Sequence, residues 1–234
     1  MKSILITGAD KGLGLSLVEK FANNGYCVIA AHLEESPEKL IKLSEKSNFL
    51  KLIRMDVSSD ESVLSAAHNF EQYDVDGKLD ILLNNAGVHF EESYASLEDV
   101  NFNIALKTHN INTLGPLRTA KAFLPFLKEG EKKLILNISS EAGSLSDCWR
   151  EKEFDYCMSK AALNMQSILL QNYLKKDRIK IIAVHPGWMR TDMGGLKADI
   201  DSTESAEGIF SLAEKDFALN DPIYMDYKGK IMHW

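Results

Sequence analysis

Tyr156 and Lys160 stand four residues apart in Tyr156-Cys-Met-Ser-Lys160, within a stretch of helical periodicity. At that spacing two side chains share one helix face, about 6 Å apart along the axis. An ammonium beside a phenol favours the phenolate and lowers its pKa from roughly 10. Tyr156 could then exchange a proton with a substrate oxygen near neutral pH. The same spacing also describes a solvated helix face carrying a partly buried ring, so the pair needs a site built around it. Cys157 reads as a small helix residue rather than a nucleophile.

The elements that would build the site follow in chain order. Ile4-Leu5-Ile6 is a short β-type run entering Thr7-Gly-Ala-Asp-Lys-Gly-Leu-Gly14, and Leu15, Val18, Phe21 and Ala22 continue with helical spacing. Strand, glycine turn and helix in that order open a dinucleotide-binding βαβ unit. Gly8 permits the tight turn, Gly12 leaves the backbone open to a pyrophosphate, and Gly14 lets helix and strand pack closely. The N–H groups of the helix start then face the anion. Tyr26 to Ala31 reads as the second strand, whose end should face the adenosine ribose. An acid there would bind free hydroxyls and an arginine would pair a 2'-phosphate. The chain offers Ala31, His32 and Leu33, which leaves His32 as the ribose-facing side chain with neither diagnostic residue present. Lys11 supplies positive charge for a 2'-phosphate, while Glu34 and Glu35 point weakly the other way. The expectation is NADP(H) preferred and NAD(H) possible.

Residues 36–48 read as a short polar helix or loop opened by Pro37, and Leu50 to Met55 as a third strand ending at Asp56-Val57-Ser58. Asp56 suits either an adenine amino group or the cap of a helix over 60–73. Leu79 to Asn84 is the most apolar strand, fit for the centre of a parallel sheet, and it breaks into Asn85-Ala-Gly87, where small residues leave room for a ligand. Leu97 to about Leu127 reads as helical throughout. It carries Asn112, which is either a surface residue or part of a site, and Gly115-Pro116. Leu134 to Ile138 is a fifth strand closed by Ser139-Ser140, and the Tyr156 helix runs to about Tyr173. Ile179 to Val184 is a sixth strand, ending at His185-Pro186-Gly187, where His185 reads as a packed strand-end residue. Residues 188–203 suit a flap near the cofactor. Glu204 to Leu212 form the last helix, and Pro222 to Asp226 with Gly229 to Trp234 a short last strand and tail.

The 234 residues are enough for one domain, 1–234, with a sizeable core. A net charge of -7 gives no electrostatic reason to expect nucleic acid or an anionic membrane as partner. Met1-Lys2-Ser3 leaves no room for a leader ahead of the first strand, and no apolar run approaches membrane-spanning length. The odd cysteines Cys27, Cys148 and Cys157 form no C-x-x-C pair, which argues against a metal site or disulfide framework. The expectation is a cytoplasmic protein.

Taken together, Thr7-Gly-x-x-x-Gly-x-Gly14, Asn84-Asn-Ala-Gly87, Asn112, Ser139-Ser140, Tyr156-x-x-x-Lys160 and Pro186-Gly187 resemble a short-chain dehydrogenase/reductase across nearly the whole chain. The stretch His185-Pro-Gly-Trp-Met-Arg-Thr-Asp-Met-Gly-Gly195 and the terminal Trp234 resemble the C-factor and sniffer-like carbonyl reductase branch. The resemblance implies an α/β fold, a Rossmann-type doubly wound sheet of about seven parallel strands with helices on both faces. It implies a catalytic tetrad of Asn112, Ser140, Tyr156 and Lys160 that moves a hydride between NAD(P)(H) and a carbonyl or alcohol. Tyr156 would be the acid, Ser140 a hydrogen-bond donor, and Lys160 the residue that tunes the phenol and holds the nicotinamide ribose. Asn112 would help hold a water between Lys160 and solvent. Gly12, Leu13, Asn85, Ala86 and Gly87 match nucleotide-contacting positions, with Asp56 and Val57 beside the adenine. Pro186, Gly187, Met189 and Thr191 match the carboxamide and diphosphate contacts. A homodimer through the helices carrying Asn112 and Tyr156 is expected.

The Ser140-to-Tyr156 spacing is longer than the family's commonest and suggests an insertion around Trp149 to Glu153. Phe90, Trp149, Trp188 and Met193 are candidates to line an apolar pocket for a hydrophobic carbonyl, or to be core or dimer contacts. A regulatory protein that holds the nucleotide only as a ligand is the alternative function.

Overall fold

The computed structural model describes residues 1–73 and 75–234, the side chain of Glu71 apart. Seven strands run in the order β3-β2-β1-β4-β5-β6-β7: β1 Ser3–Thr7, β2 Cys27–His32, β3 Leu50–Arg54, β4 Ile81–Asn84, β5 Leu134–Ile138, β6 Lys180–His185 and β7 Tyr224–Asp226. Every neighbouring pair is parallel. The helices are α1 Gly12–Asn23, α2 Glu38–Ser44, α3 Asp60–Asn69, α4 Phe102–His109, α5 Gly115–Glu129, α6 Phe154–Leu174 and α7 Ser202–Glu214. The order reverses between β1 and β4, and in such sheets ligands bind at the carboxyl ends of the strands beside that switch point.

Alternate residues of one strand feed opposite cores, which is why the central strands are mainly apolar on both faces. Ile4 and Ile6 pack with Leu17, Val18 and Phe21 of α1 and Ile209 of α7. Leu5 between them packs with Val63 of α3 and Phe123 of α5 on the other face. All nine side chains are fully buried or nearly so. Asp80 falls just outside β4 because its carboxylate serves the backbone, accepting from Ser3 N at 2.8 Å and Glu131 N at 2.7 Å. No helix among the described residues is long and apolar enough to cross a membrane.

The single helix expected from Leu97 to Leu127 is broken. Residues 97–99 form one 3-10 turn, and α4 and α5 are separated by a π-helical turn, Asn110–Leu114. Pro116 has no N–H, so the α ladder cannot close on the Asn112 carbonyl four residues back. The extra residue of a π turn re-aims the side chains it carries, and Asn112 points inward, 1% exposed. Asp56 does not cap α3. Ser59 does, its side chain accepting from Ser62 N, while Asp56 Oδ1 accepts from Ser58 N and Ser58 Oγ at 2.8 and 2.7 Å.

Candidate active site

The ends of β1 and β4 are tied by one threonine. Thr7 Oγ1 accepts from Asn85 N and Ala86 N, both at 3.0 Å, and Asn85 Nδ2 donates to the carbonyls of Thr7 and Gly8 at 2.9 Å. This stitching draws the glycine turn so close that side chains are excluded. A Cβ on Gly8 would stand 2.8 Å from Ala86 Cα, and one on Gly14 only 2.0 Å from the Gly8 carbonyl oxygen. Gly8 also has a positive φ of 62°, which costs glycine nothing. Helix α1 starts at Gly12 with no side chain capping it and no acid in its first turn. Its first N–H groups therefore have no intrahelical acceptor, as suits an anion-binding helix start. Thr191 closes over the same turn, its Cγ2 3.5 Å from a Cβ built on Gly12. These residues fit a dinucleotide pyrophosphate.

Of the other cofactor positions, Leu13 is buried and Lys11 exposed at the start of α1. His32 closes β2 with Nδ1 2.8 Å from the Glu34 carbonyl oxygen. The parallel register sets Arg54 beside it on β3, a cation absent from the ribose-facing residues read off the sequence. Val57 packs against the start of α5, with Cγ2 3.0 Å from a Cβ built on Gly115. Pro186 is fixed by Ser205 Oγ, which donates to its carbonyl at 2.6 Å. Gly187 and Met189 follow in a segment held by a bridge from Met189 to Ile200 and by Arg190 N donating to Ile200 O at 2.9 Å. His185 ends β6 with Nδ1 accepting from Glu141 N at 3.2 Å, a packed strand-end histidine.

Asn112, Ser140, Tyr156 and Lys160 converge at the ends of β4 and β5. Asn112 grips the loop after β4 from both sides. Its Oδ1 accepts from Val88 N and its Nδ2 donates to Val88 O, each at 2.8 Å, and Nδ2 also donates to Ser159 Oγ at 3.1 Å. Asn112 Oδ1 and Lys160 Nζ lie 3.3 and 3.8 Å from a Cβ built on Gly87. Helix α6 is seated on the β5 end by Asn164, which accepts from Ser139 Oγ at 2.6 Å and donates to Gly143 O at 3.1 Å. Ser140 Oγ accepts from Ala142 N at 3.1 Å, and its carbonyl accepts from Tyr224 Oη at 2.7 Å.

The electrostatics differ from the sequence expectation that Lys160 lowers the phenol pKa. Lys160 donates to the Ile138 carbonyl at 2.8 Å, its Nζ 5.7 Å from the Tyr156 ring centroid. Burial pushes the lysine down to about 8. Burial also pushes Tyr156 up to about 12, with the Ser140 hydroxyl and the Arg150 charge pulling the other way. Desolvation outweighs the cation in this structure.

The apolar pocket expected from Phe90, Trp149, Trp188 and Met193 is not what surrounds Tyr156. Trp149 is 74% exposed, Trp188 and Met193 are about half exposed, and Phe90 lies under Lys107. The imidazole of His89 stacks on the phenol at 4.3 Å and 22° instead. Beyond it Arg150 pairs with Glu141 and Glu153. Periodicity gave no warning of this cluster, although Glu141 directly follows Ser140 and the other two stand in the loop before α6.

The short chain dehydrogenase family model matches residues 2–201. The chain belongs to the short-chain dehydrogenase family. C-signal of Myxococcus xanthus is 34% identical over 158 residues, 68% of this chain and 94% of the relative. Among solved structures, the carbonyl reductase Sniffer of D. melanogaster superposes with a TM-score of 0.93 at 30% identity, covering all of both chains. The NADPH-bound carbonyl reductase from chicken fatty liver gives 0.91 at 29% identity, covering all of this chain and 99% of that one. Membership makes the protein an oxidoreductase of the NAD(P)-dependent kind, and its structural likenesses include carbonyl reductases of the sniffer-like branch.

Proposed function

We propose that the protein reduces a carbonyl compound, aldehyde, ketone or quinone, or oxidises the matching alcohol, with NADP(H) preferred. The observation that carries this reading is the convergence of Asn112, Ser140, Tyr156 and Lys160 beside a glycine turn built for a pyrophosphate. The likeness to two carbonyl reductases supports the substrate class. When bound, the nicotinamide supplies or accepts the hydride.

The remaining work belongs to the chain. As negative charge grows on the substrate oxygen, Tyr156 donates its phenolic proton and Ser140 a hydrogen bond. A phenol held protonated up to about 12 is in the correct form for that donation at pH 7. Lys160 has a buried ammonium free to turn from the Ile138 carbonyl to the nicotinamide ribose. Asn112 fixes the floor of the site through Val88, beside the lysine whose proton supply it helps to organise. On this reading Asp56 and Val57 would flank the adenine, and Gly187, Met189 and Thr191 would contact the cofactor beneath a flap of residues 188–203.

Two cations, Lys11 at the start of α1 and Arg54 beside the β2 end, favour a 2'-phosphate. The opposing Arg54–Glu35 pair, 3.5 Å apart and largely exposed, is weak enough to be displaced. NADPH should give at least a tenfold higher kcat/KM than NADH in oxidation assays against an aldehyde, ketone and quinone panel. Equal efficiencies would end the preference, and no turnover of any carbonyl with either cofactor would end the reductase reading.

A cytoplasmic homodimer is part of the proposal. Met158, Met165, Leu169 and Tyr173 form one exposed apolar face of α6, next to exposed Phe102 and Leu106 of α4. A patch of this kind marks an interaction surface, and a second copy would cover like with like. Light scattering at micromolar concentration should give twice the chain mass, and Met165→Lys should halve it. A monomeric wild-type protein would remove the dimer. The name C-signal favours a second reading, in which the nucleotide-bound form acts through a protein partner. A partner complex unchanged by Tyr156→Phe would support it.

A further inference from the structure

We infer that Arg150 is a positioning residue for Tyr156: it locks the Ser140 wall of the site to the start of the Tyr156 helix and holds a compensating positive charge between two carboxylates that face the phenol. The inference rests on the proposed role of Tyr156 as the proton-exchanging group.

All the hydrogen-bonding nitrogens of Arg150 are used. Nη1 and Nη2 donate to the Glu141 carboxylate at 2.7 and 2.6 Å, and Nε donates to Glu153 at 2.8 Å. Glu141 follows Ser140 directly, and Glu153 stands three residues before Tyr156. One guanidinium therefore spans the two chain segments that carry the proposed hydrogen-bond donor and acid. The clamp's Arg150 and Glu153 side chains are sheltered, 16% and 13% exposed, while Glu141 is 37% exposed, and the centroid of the Trp149 ring lies 4.8 Å from the guanidinium carbon. Charge-assisted bidentate pairs of this kind are strong and fix geometry. Glu153 is further pinned by donating its N–H to Ser93 O at 3.0 Å, in a left-handed backbone conformation with φ 63°.

The same carboxylate reaches the phenol through His89. The His89 ring that stacks on Tyr156 brings Nε2 to 3.1 Å from Glu153 Oε1, out of line for a hydrogen bond. Burial lowers the His89 pKa, so this ring is neutral at pH 7. The charges around Tyr156 can be assigned element by element. The segment after β5 offers Glu141, and the loop before α6 offers Arg150 and Glu153. Helix α6 offers Lys160, engaged by the Ile138 carbonyl, and Asp155, whose carboxylate is turned to Ser93 and Thr108 at 2.9 and 2.8 Å. His185 at the end of β6 is occupied by Glu141 N–H, and Cys157 stays a thiol because burial raises it to about 11. Removing Arg150 leaves Glu141 and Glu153 uncompensated, which disfavours the phenolate and parts the two walls.

The test is the pH profile of kcat/KM for NADP-linked oxidation of the product alcohol of the best panel carbonyl, a direction that needs the phenolate. Arg150→Met should move the rising limb up by about one pH unit and lower turnover at pH 7 about tenfold. Arg150→Lys keeps the charge but not the fork, so it should lose activity while its limb stays at the wild-type position. Glu141→Gln removes a negative charge and should move the limb down. Ultraviolet titration of Glu141→Gln against its double variant with Tyr156→Phe should show the same downward shift without cofactor. Losses of activity with unmoved limbs in both Arg150→Met and Glu141→Gln, or limbs of these two variants moving in the same direction, would overturn the inference. Should Arg150→Met fail to fold, the other two variants decide. Wild-type turnover in Tyr156→Phe alone would instead refute the underlying role of Tyr156.

Discussion

Replacing Asn112 by alanine removes a side chain that is 1% exposed and makes three hydrogen bonds, two to the Val88 backbone and one to Ser159 Oγ. The Val88 N–H and C=O lose their partner together. Each buried polar group left unsatisfied costs about 1–3 kcal/mol, and Val88 is only half-buried, so water recovers part of that. The expected loss is about 2–4 kcal/mol. For a chain of this length each kcal/mol shifts Tm by about 2–4 °C, which gives a fall of roughly 5–15 °C by differential scanning calorimetry. The loop after β4 carries Gly87, Val88 and His89 past Lys160 and Tyr156, so turnover should fall with stability. The functional loss should exceed any change in the unfolded fraction at assay temperature. A Tm within 2 °C of wild type together with full turnover would refute the assignment of Asn112 as the floor of the site.

Two further outcomes follow from the same geometry. Gly14→Ala places a methyl 2.0 Å from the Gly8 carbonyl oxygen and 2.7 Å from Asn85 Nδ2. Backbone must move to admit it, so cofactor affinity measured by NADPH fluorescence should drop at least tenfold, and unchanged affinity would contradict the pyrophosphate cradle. His89 and His185 both have pKa values lowered from 6.5 by burial. Below 6.5 the unfolded chain therefore binds more protons than the folded one, and stability that is full above 6.5 is lost as pH falls through the folded values. Urea midpoints should decline from pH 7 to pH 5, with a shallower decline in His185→Asn; an identical slope would show that this histidine contributes nothing.

Much of the fold is legible in the sequence because local and global signals agree. Ile4-Leu5-Ile6, the glycine turn and the α1 periodicity specify one βαβ start, and the mainly apolar runs of β4 and β5 suit a sheet covered on both faces. The π turn at Asn112 was hidden by the strong helical pattern on either side. Its one signal is Pro116, four residues on, which denies the Asn112 carbonyl its donor. The Asp56 carboxylate was ambiguous because a cap and a turn demand the same residue type, and Ser59 three residues later took the cap. The pairing of Lys160 with Tyr156 was legible as proximity but not as energy, since desolvation of both groups depends on how deeply α6 is seated against β5. The Glu141–Arg150–Glu153 clamp and the stack of His89 on Tyr156 join residues up to 67 positions apart. No spacing rule within a single helix or strand reaches that far.

The most direct test of the central claim is NADPH oxidation against the carbonyl panel by wild-type protein and by Tyr156→Phe. Phenylalanine keeps the ring that stacks on His89 and removes only the hydroxyl. Turnover should fall about 10²–10⁴-fold while NADPH affinity stays within a few-fold of wild type. Turnover near the wild-type level in the variant would contradict the assignment of Tyr156 as the proton donor and, with it, the proposed reaction.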